Sequence, residues 1–143
     1  MPAIKVVGLR ELRRACSVMD EEMPLYLRDE LMRLAEIVVQ RTKPKVPEIS
    51  GAARGSIRAI IGGGGAAVRA GSAAVPYYGW LDFGGRIRHM PHARIHHVMN
   101  HYLWRDYYPQ GRYLYPTANE AAVEIGPMVE RMLDRLCVKA GWV

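Results

Sequence analysis

Five histidines, His89, His92, His96, His97 and His101, fall within one short stretch of the chain. On a single helix, at about 100° per residue, His92 and His96 share one edge and His97 and His101 the opposite flank, so the four do not converge. Each pair has metal-ligand spacing. A zinc site needs a third or fourth donor, and neither an HExxH pattern nor a nearby Cys supplies one; Asp106 is the closest acid after the cluster. A metal-dependent hydrolase is therefore one reading, and solvated or interfacial histidines are the simpler one. An interface lined by these residues would loosen as pH falls through about 6.5. The second concentration of chemistry is Val75–Gly85, "VPYYGWLDFGG", where Tyr77, Tyr78, Trp80 and Phe83 surround one acid, Asp82. A carboxyl among aromatic rings can serve as a general acid, or it can accept hydrogen bonds from Arg or backbone donors. Catalysis would also need a nucleophile held by a base, and no GxSxG or Cys/His arrangement offers one. The run Gly62–Gly65 resembles a phosphate cradle only in composition: an alternating pattern without Lys follows it, where a phosphate loop needs a helix. Cys16 and Cys137 lie near opposite ends, without zinc or redox spacing. No cofactor is expected.

Charge narrows the partners. The 143 residues carry a net charge of +6, and sixteen of the twenty cations are Arg. From Arg41 to Arg112 there are eleven cations against three acids, while the two ends together are net negative. A basic middle can face nucleic acid, through Arg54, Arg58, Arg69, Arg86 and Arg88, or an acidic protein surface, since the planar guanidinium pairs with phosphate and carboxylate alike. No stretch approaches the roughly 20 apolar residues that cross a bilayer, so no membrane partner is expected. The first residues, "MPAIKVVGLRELRR", lack the apolar centre of a secretion signal, which points to synthesis and use in a cytoplasm or packaging from one.

The elements that must position these groups follow from periodicity. "GLRELRRACSVM" spaces Leu9, Leu12, Cys16 and Met19 as a short amphipathic helix. A second helix over about 22–42 places Leu27, Leu31, Leu34, Ala35 and Val38 on one face and stops before Pro44 and Pro47. The period then changes to two. Ile57, Ala59 and Ile61 oppose Arg58, and Val68 and Ala70 oppose Arg69, which predicts a hairpin turned by the glycines. Val75–Gly85 reads as a third extended or mixed element. Pro91 can start a helix with Ile95, Val98, Met99, Tyr102 and Leu103 on its apolar side; a long projecting loop is the alternative. A last helix is capped by Thr117 or Asn119, uses Val123, Met128, Met132, Leu133 and Leu136, and is kinked at Gly126 and Pro127. The expected fold is α+β: N-terminal helices and a C-terminal helix packed on a small antiparallel sheet, with a long projecting excursion. One domain spans 1–143, with its core in 7–85 and 112–138 and the arm in 86–111.

Three segments in this order carry a resemblance. "KVPEISGAARGSIRA", "VPYYGWLDFGG" and "GRYLYPTANEA", preceded by "GLRELRRA", are similar to the tail-completion, or gene-product-ten-like, proteins of long-tailed bacteriophages. The likeness runs from Val7 to Arg135; Ala53, Thr117 and the long His-rich excursion depart from the pattern. It implies a structural virion protein of the siphovirus neck, without catalysis. Such a protein forms a homo-oligomeric ring, a hexamer or dodecamer, between head-connector and tail-terminator or tail-tube proteins, with DNA in the channel as a possible contact. A ring needs two unlike surfaces, and a small sheet with open edges plus an arm offers them. Aromatic residues and Arg dominate interface centres. The interface candidates are therefore Tyr78, Asp82, Arg86, Arg88, Tyr102, Trp104, Tyr107 and Tyr108, with one of Tyr113 and Tyr115 expected to pack under the last helix. The arm is expected to order only on assembly.

Overall fold

Apolar spacing in the first described helix decides what can lie on either side of it. The computed structural model describes residue 14 and residues 23–48, 50–62, 65–86 and 104–141. Helix α1 (Met23–Thr42) buries Leu27, Ala35, Val38 and Val39, so apolar groups recur along one broad stripe. It ends in a tight turn, Lys43–Lys45, whose Pro44 has no N–H to continue the ladder. The hydroxyl of Thr42, fully buried, donates back to the Val38 carbonyl at 2.7 Å.

The chain then makes a short helix α2 (Ala52–Gly55) and the hairpin β1 (Arg58–Gly62) and β2 (Gly65–Arg69). Register pairs Arg58 with Arg69, Ala59 with Val68 and Ile61 with Ala66, which is the alternation expected from sequence. Ala59 and Val68 pack on a core of Val39, Val46, Ala53, Ile57, Val75 and Tyr78. The final helix α4 (Leu114–Lys139) runs antiparallel to α1. Near one end Ala121 and Ile125 meet Val38; near the other Met132 and Leu136 meet Leu27. Each such large apolar side chain stabilises the fold by about 1.5–3 kcal/mol relative to exposure. Ion pairs Arg41–Glu124, Lys45–Glu120 and Arg135–Glu30 follow the same antiparallel register, and the Arg41 guanidinium holds the Glu124 carboxyl below its ordinary value by hydrogen bonding and then by charge. Val68, Leu34 and Val129 each touch two of the three apolar clusters, which joins them into one core.

The fold is α+β, helices with a small antiparallel sheet. Two expectations change in detail. The element after the hairpin is helix α3 (Tyr78–Phe83) rather than a strand: Tyr78 and Asp82, one helical turn apart, are both buried, so the period of this segment is helical. Helix α4 starts three residues before Thr117, and neither Thr117 nor Asn119 caps it. It continues through Gly126 and Pro127 as one helix of 26 residues. The excursion of 86–111 is bounded by a second two-stranded ladder, β3 (Gly85–Arg86) and β4 (Trp104–Arg105), and residues 106–111 lie back against α3. The helix predicted around Leu9, Leu12, Cys16 and Met19, apart from Arg14, the helix or loop after Pro91 and all five histidines lie outside the described residues.

Candidate interaction site

Asp82 organises the point where the chain leaves the core and returns. It sits in the last turn of α3, 1% exposed, and its carboxylate receives three backbone donors from thirty residues downstream. Oδ1 accepts from the N–H of Arg112 at 2.6 Å and of Tyr113 at 2.9 Å, and Oδ2 from Leu114 at 3.3 Å. These are donors at the start of α4, which has no side-chain cap of its own. An acid on one helix thus caps the next, with its charge at the positive end of the α4 dipole. Gly111 makes this approach possible. It has φ 72°, and a Cβ there would lie 2.9 Å from Asp82 Oδ1.

Arginines complete the junction. Arg105 donates to the Leu81 carbonyl at 2.8 Å and to the Tyr113 hydroxyl at 2.9 Å, with its guanidinium about 6 Å from the Trp80 and Tyr113 ring centres. Arg112 donates to the carbonyls of Asp82 and Asp106 and lies 4.3 Å from the Tyr108 ring centre. The Tyr108 N–H donates to the Phe83 carbonyl at 2.7 Å, and the indole N–H of Trp80 to Gly85 at 3.0 Å. Gly84, φ 81° and ψ −152°, admits no side chain, because a Cβ would lie 2.0 Å from the Asp106 carbonyl oxygen. The result is a fixed foot on which residues 87–103 are mounted at both ends.

Of the candidates named from sequence, the structure brings Tyr78, Asp82, Tyr107 and Tyr108 to this foot in two different roles. Tyr107 and Tyr108 are 65% and 49% exposed and form the aromatic part of its surface. Tyr78 and Asp82 are the correction: at 4% and 1% exposed they are spent inside the fold and are not offered to a neighbour. The Tyr78 hydroxyl has no hydrogen-bond partner, lying near enough to Asp82 to feel its charge but outside hydrogen-bonding geometry; burial first, and that charge second, raise its pKa above the ordinary value. Arg86 and Trp104 pair through their backbones, Arg88 and Tyr102 lie outside the described residues, and Tyr115 stacks at a tilt on Phe83, 5.6 Å between centres. Sequence reasoning missed Arg105, Arg112 and the two strained glycines. Their signal was there in part: Gly84 and Gly111 bracket the excursion, and both cations sit among tyrosines.

A second feature lies on the other side of Tyr78. A cleft of about 490 Å³ is lined by Arg58, Arg69, Gly71, Ser72, Pro76 and Tyr78. Both arginines are exposed and make no ion pair among the described residues. By contrast Arg54 is committed internally, to Glu48 and the Val46 carbonyl. Among the described residues there is no group of three His, Cys, Asp or Glu that could hold a metal, and no helix long and apolar enough to cross a membrane. No family model matches the chain, and no curated protein or solved structure matches it either.

Proposed function

We propose that this chain is a structural, non-catalytic protein of the neck of a long-tailed phage, assembling as a ring that completes the tail and joins it to the head connector. The observation that carries the reading is the foot: Asp82, Arg105 and Arg112 spend buried and charged groups on fixing the chain on both sides of residues 87–103, beside exposed Tyr107 and Tyr108. A protein that works by holding a neighbour needs a rigid mount with aromatic anchors, whereas an enzyme would spend those groups on a substrate. The order of the three sequence segments supports the same reading. Electron microscopy of the purified chain and of its parent particle tests it. Closed rings at the head–tail junction are the expected result; a chain that stays monomeric at high concentration and is absent from purified virions overturns it.

One observation favours a second reading, nucleic-acid binding: Arg58 and Arg69 flank a cleft and are unpaired. Phosphate contacts release counterions, so affinity for duplex DNA would then fall steeply with salt and with loss of these two side chains.

A further inference from the structure

The unpaired arginines have a counterpart on the same chain. Arg58 and Arg69 are directly opposite partners in the hairpin, on the face away from the core, with Ile60 and Ala67 beside them. Side chains in such a pair have Cβ atoms about 5 Å apart, and like charges there repel unless an anion lies between or above them. Helix α4 presents an outward stripe of Val123, Pro127, Glu130, Asp134 and Val138, all exposed. Glu130 and Asp134 sit one turn apart, about 6 Å between Cβ atoms, and neither makes an ion pair among the described residues. Val123 and Val138, 79% and 63% exposed, bracket the acids with uncovered apolar surface.

We infer that the hairpin face of one copy docks on the α4 stripe of a second copy, with Arg58 and Arg69 meeting Glu130 and Asp134 and with Ile60 and Ala67 covering the adjacent valine surface. Three observations select a second copy over nucleic acid. The two charge pairs match in number and spacing. Apolar side chains flank both, which phosphate would leave exposed. The cleft holds only two cations, fewer than a backbone-tracking groove uses. The two faces are also different surfaces of the chain: the hairpin packs inward through Val68 on Val38, Ala121 and Ile125, whereas Glu130 and Asp134 lie further along α4 and flank Met132, which packs beside Leu27. Contact between unlike patches is heterologous and propagates from copy to copy, closing only as a ring. The inference rests on the ring reading above and specifies which surfaces make the ring.

Charge exchange in the full chain tests it. Arg58→Glu/Arg69→Glu and, separately, Glu130→Lys/Asp134→Lys are each expected to weaken self-association by roughly a hundredfold in sedimentation velocity, while their far-ultraviolet circular dichroism stays that of the parent. Mixed in equal amounts, the two variants present only complementary contacts between unlike partners and are expected to regain association in alternating order. Variants that assemble as the parent does, or a mixture that stays dissociated, overturn the contact; if the parent still forms rings, the ring reading survives alone. A parent chain that is monomeric throughout overturns both. If Arg58→Glu/Arg69→Glu abolishes binding to a short DNA duplex while Glu130→Lys/Asp134→Lys leaves self-association intact, the arginines serve nucleic acid and the contact is again overturned.

Discussion

At the scale of single residues, Asp82 stabilises the junction by a route a surface acid does not have. Its carboxylate is buried and receives three backbone N–H groups, so deleting it leaves those donors without partners in a dry site. Asp82→Ala is expected to cost about 3 kcal/mol, and Asp82→Asn about half that, because the amide oxygen keeps the Oδ1 bonds while its NH₂ opposes the Leu114 N–H. Urea unfolding of both variants measures this; equal and small losses would mean the cap is not needed. Tyr78, one turn earlier, gives a pH signature. Its pKa in the folded chain lies above the ordinary 10.0, so at alkaline pH the unfolded chain releases a proton that the folded chain keeps. Stability is therefore complete below pH 10 and falls as pH rises from there through the folded pKa. Tyr78→Phe is expected to lose that alkaline dependence, and to be neutral or up to about 1 kcal/mol more stable at neutral pH, since the hydroxyl it removes has no partner. A titration of the melting temperature from neutral to strongly alkaline pH reads both effects. The sequence showed that Asp82 is the lone acid among aromatic rings, yet it suggested a reach outward, because the donors that claim it belong to residues thirty positions away.

Among the elements, glycine separates what conformation demands from what it tolerates. Gly84 has backbone angles that only glycine adopts readily, and a Cβ would collide with the Asp106 carbonyl. Gly84→Ala is expected to cost about 3 kcal/mol or more and to expose the Tyr108 amide, now held by the Phe83 carbonyl, to hydrogen exchange. Gly126 is the opposite case: it lies inside α4 with open space around its missing Cβ, so Gly126→Ala is expected to add about 0.5–1 kcal/mol. A Gly84→Ala variant as stable as the parent would contradict the requirement for glycine at this position. Long periodic elements were legible in the sequence for the reason that makes them stable: α1 and the hairpin bury repeating apolar faces, and the extent of α1 and the alternation of the hairpin match expectation. The third strand was not, since Tyr77, Tyr78, Trp80 and Phe83 satisfy a mixed pattern and only the partners of Asp82 select the helix. The ladder of β3 and β4 was not either, because two residues per strand carry no period. Its two strands are held by Trp80, whose indole N–H donates to Gly85, and by Arg105, which donates to Leu81 and Tyr113.

For the whole molecule, the question is whether the core and the 87–103 segment are separable. Arg86 and Trp104 are antiparallel partners, so the chain ends that flank the segment already stand where a two-residue turn can join them. The bonds that fix the foot, from Asp82, Arg105, Trp80 and the Tyr108 amide, all lie within described residues on either side of it. Replacing 87–103 by Asn-Gly is therefore expected to leave the fold cooperative, with the melting temperature within a few degrees of the parent. Its effect on assembly then divides the labour between surfaces. If the hairpin and α4 hold neighbouring copies together, the shortened chain still associates head to tail, and what it loses is attachment to whatever the segment and Tyr107 and Tyr108 grip outside the ring. If the segment itself joins neighbouring copies, the shortened chain is a folded monomer. Sedimentation of the shortened chain, followed by its addition to particles lacking the parent protein, separates the two. Retained self-association without restored head–tail joining is the outcome that follows from the basic hairpin of one copy docking on the α4 stripe of the next. That outcome would assign ring closure to the core and partner choice to the mounted segment.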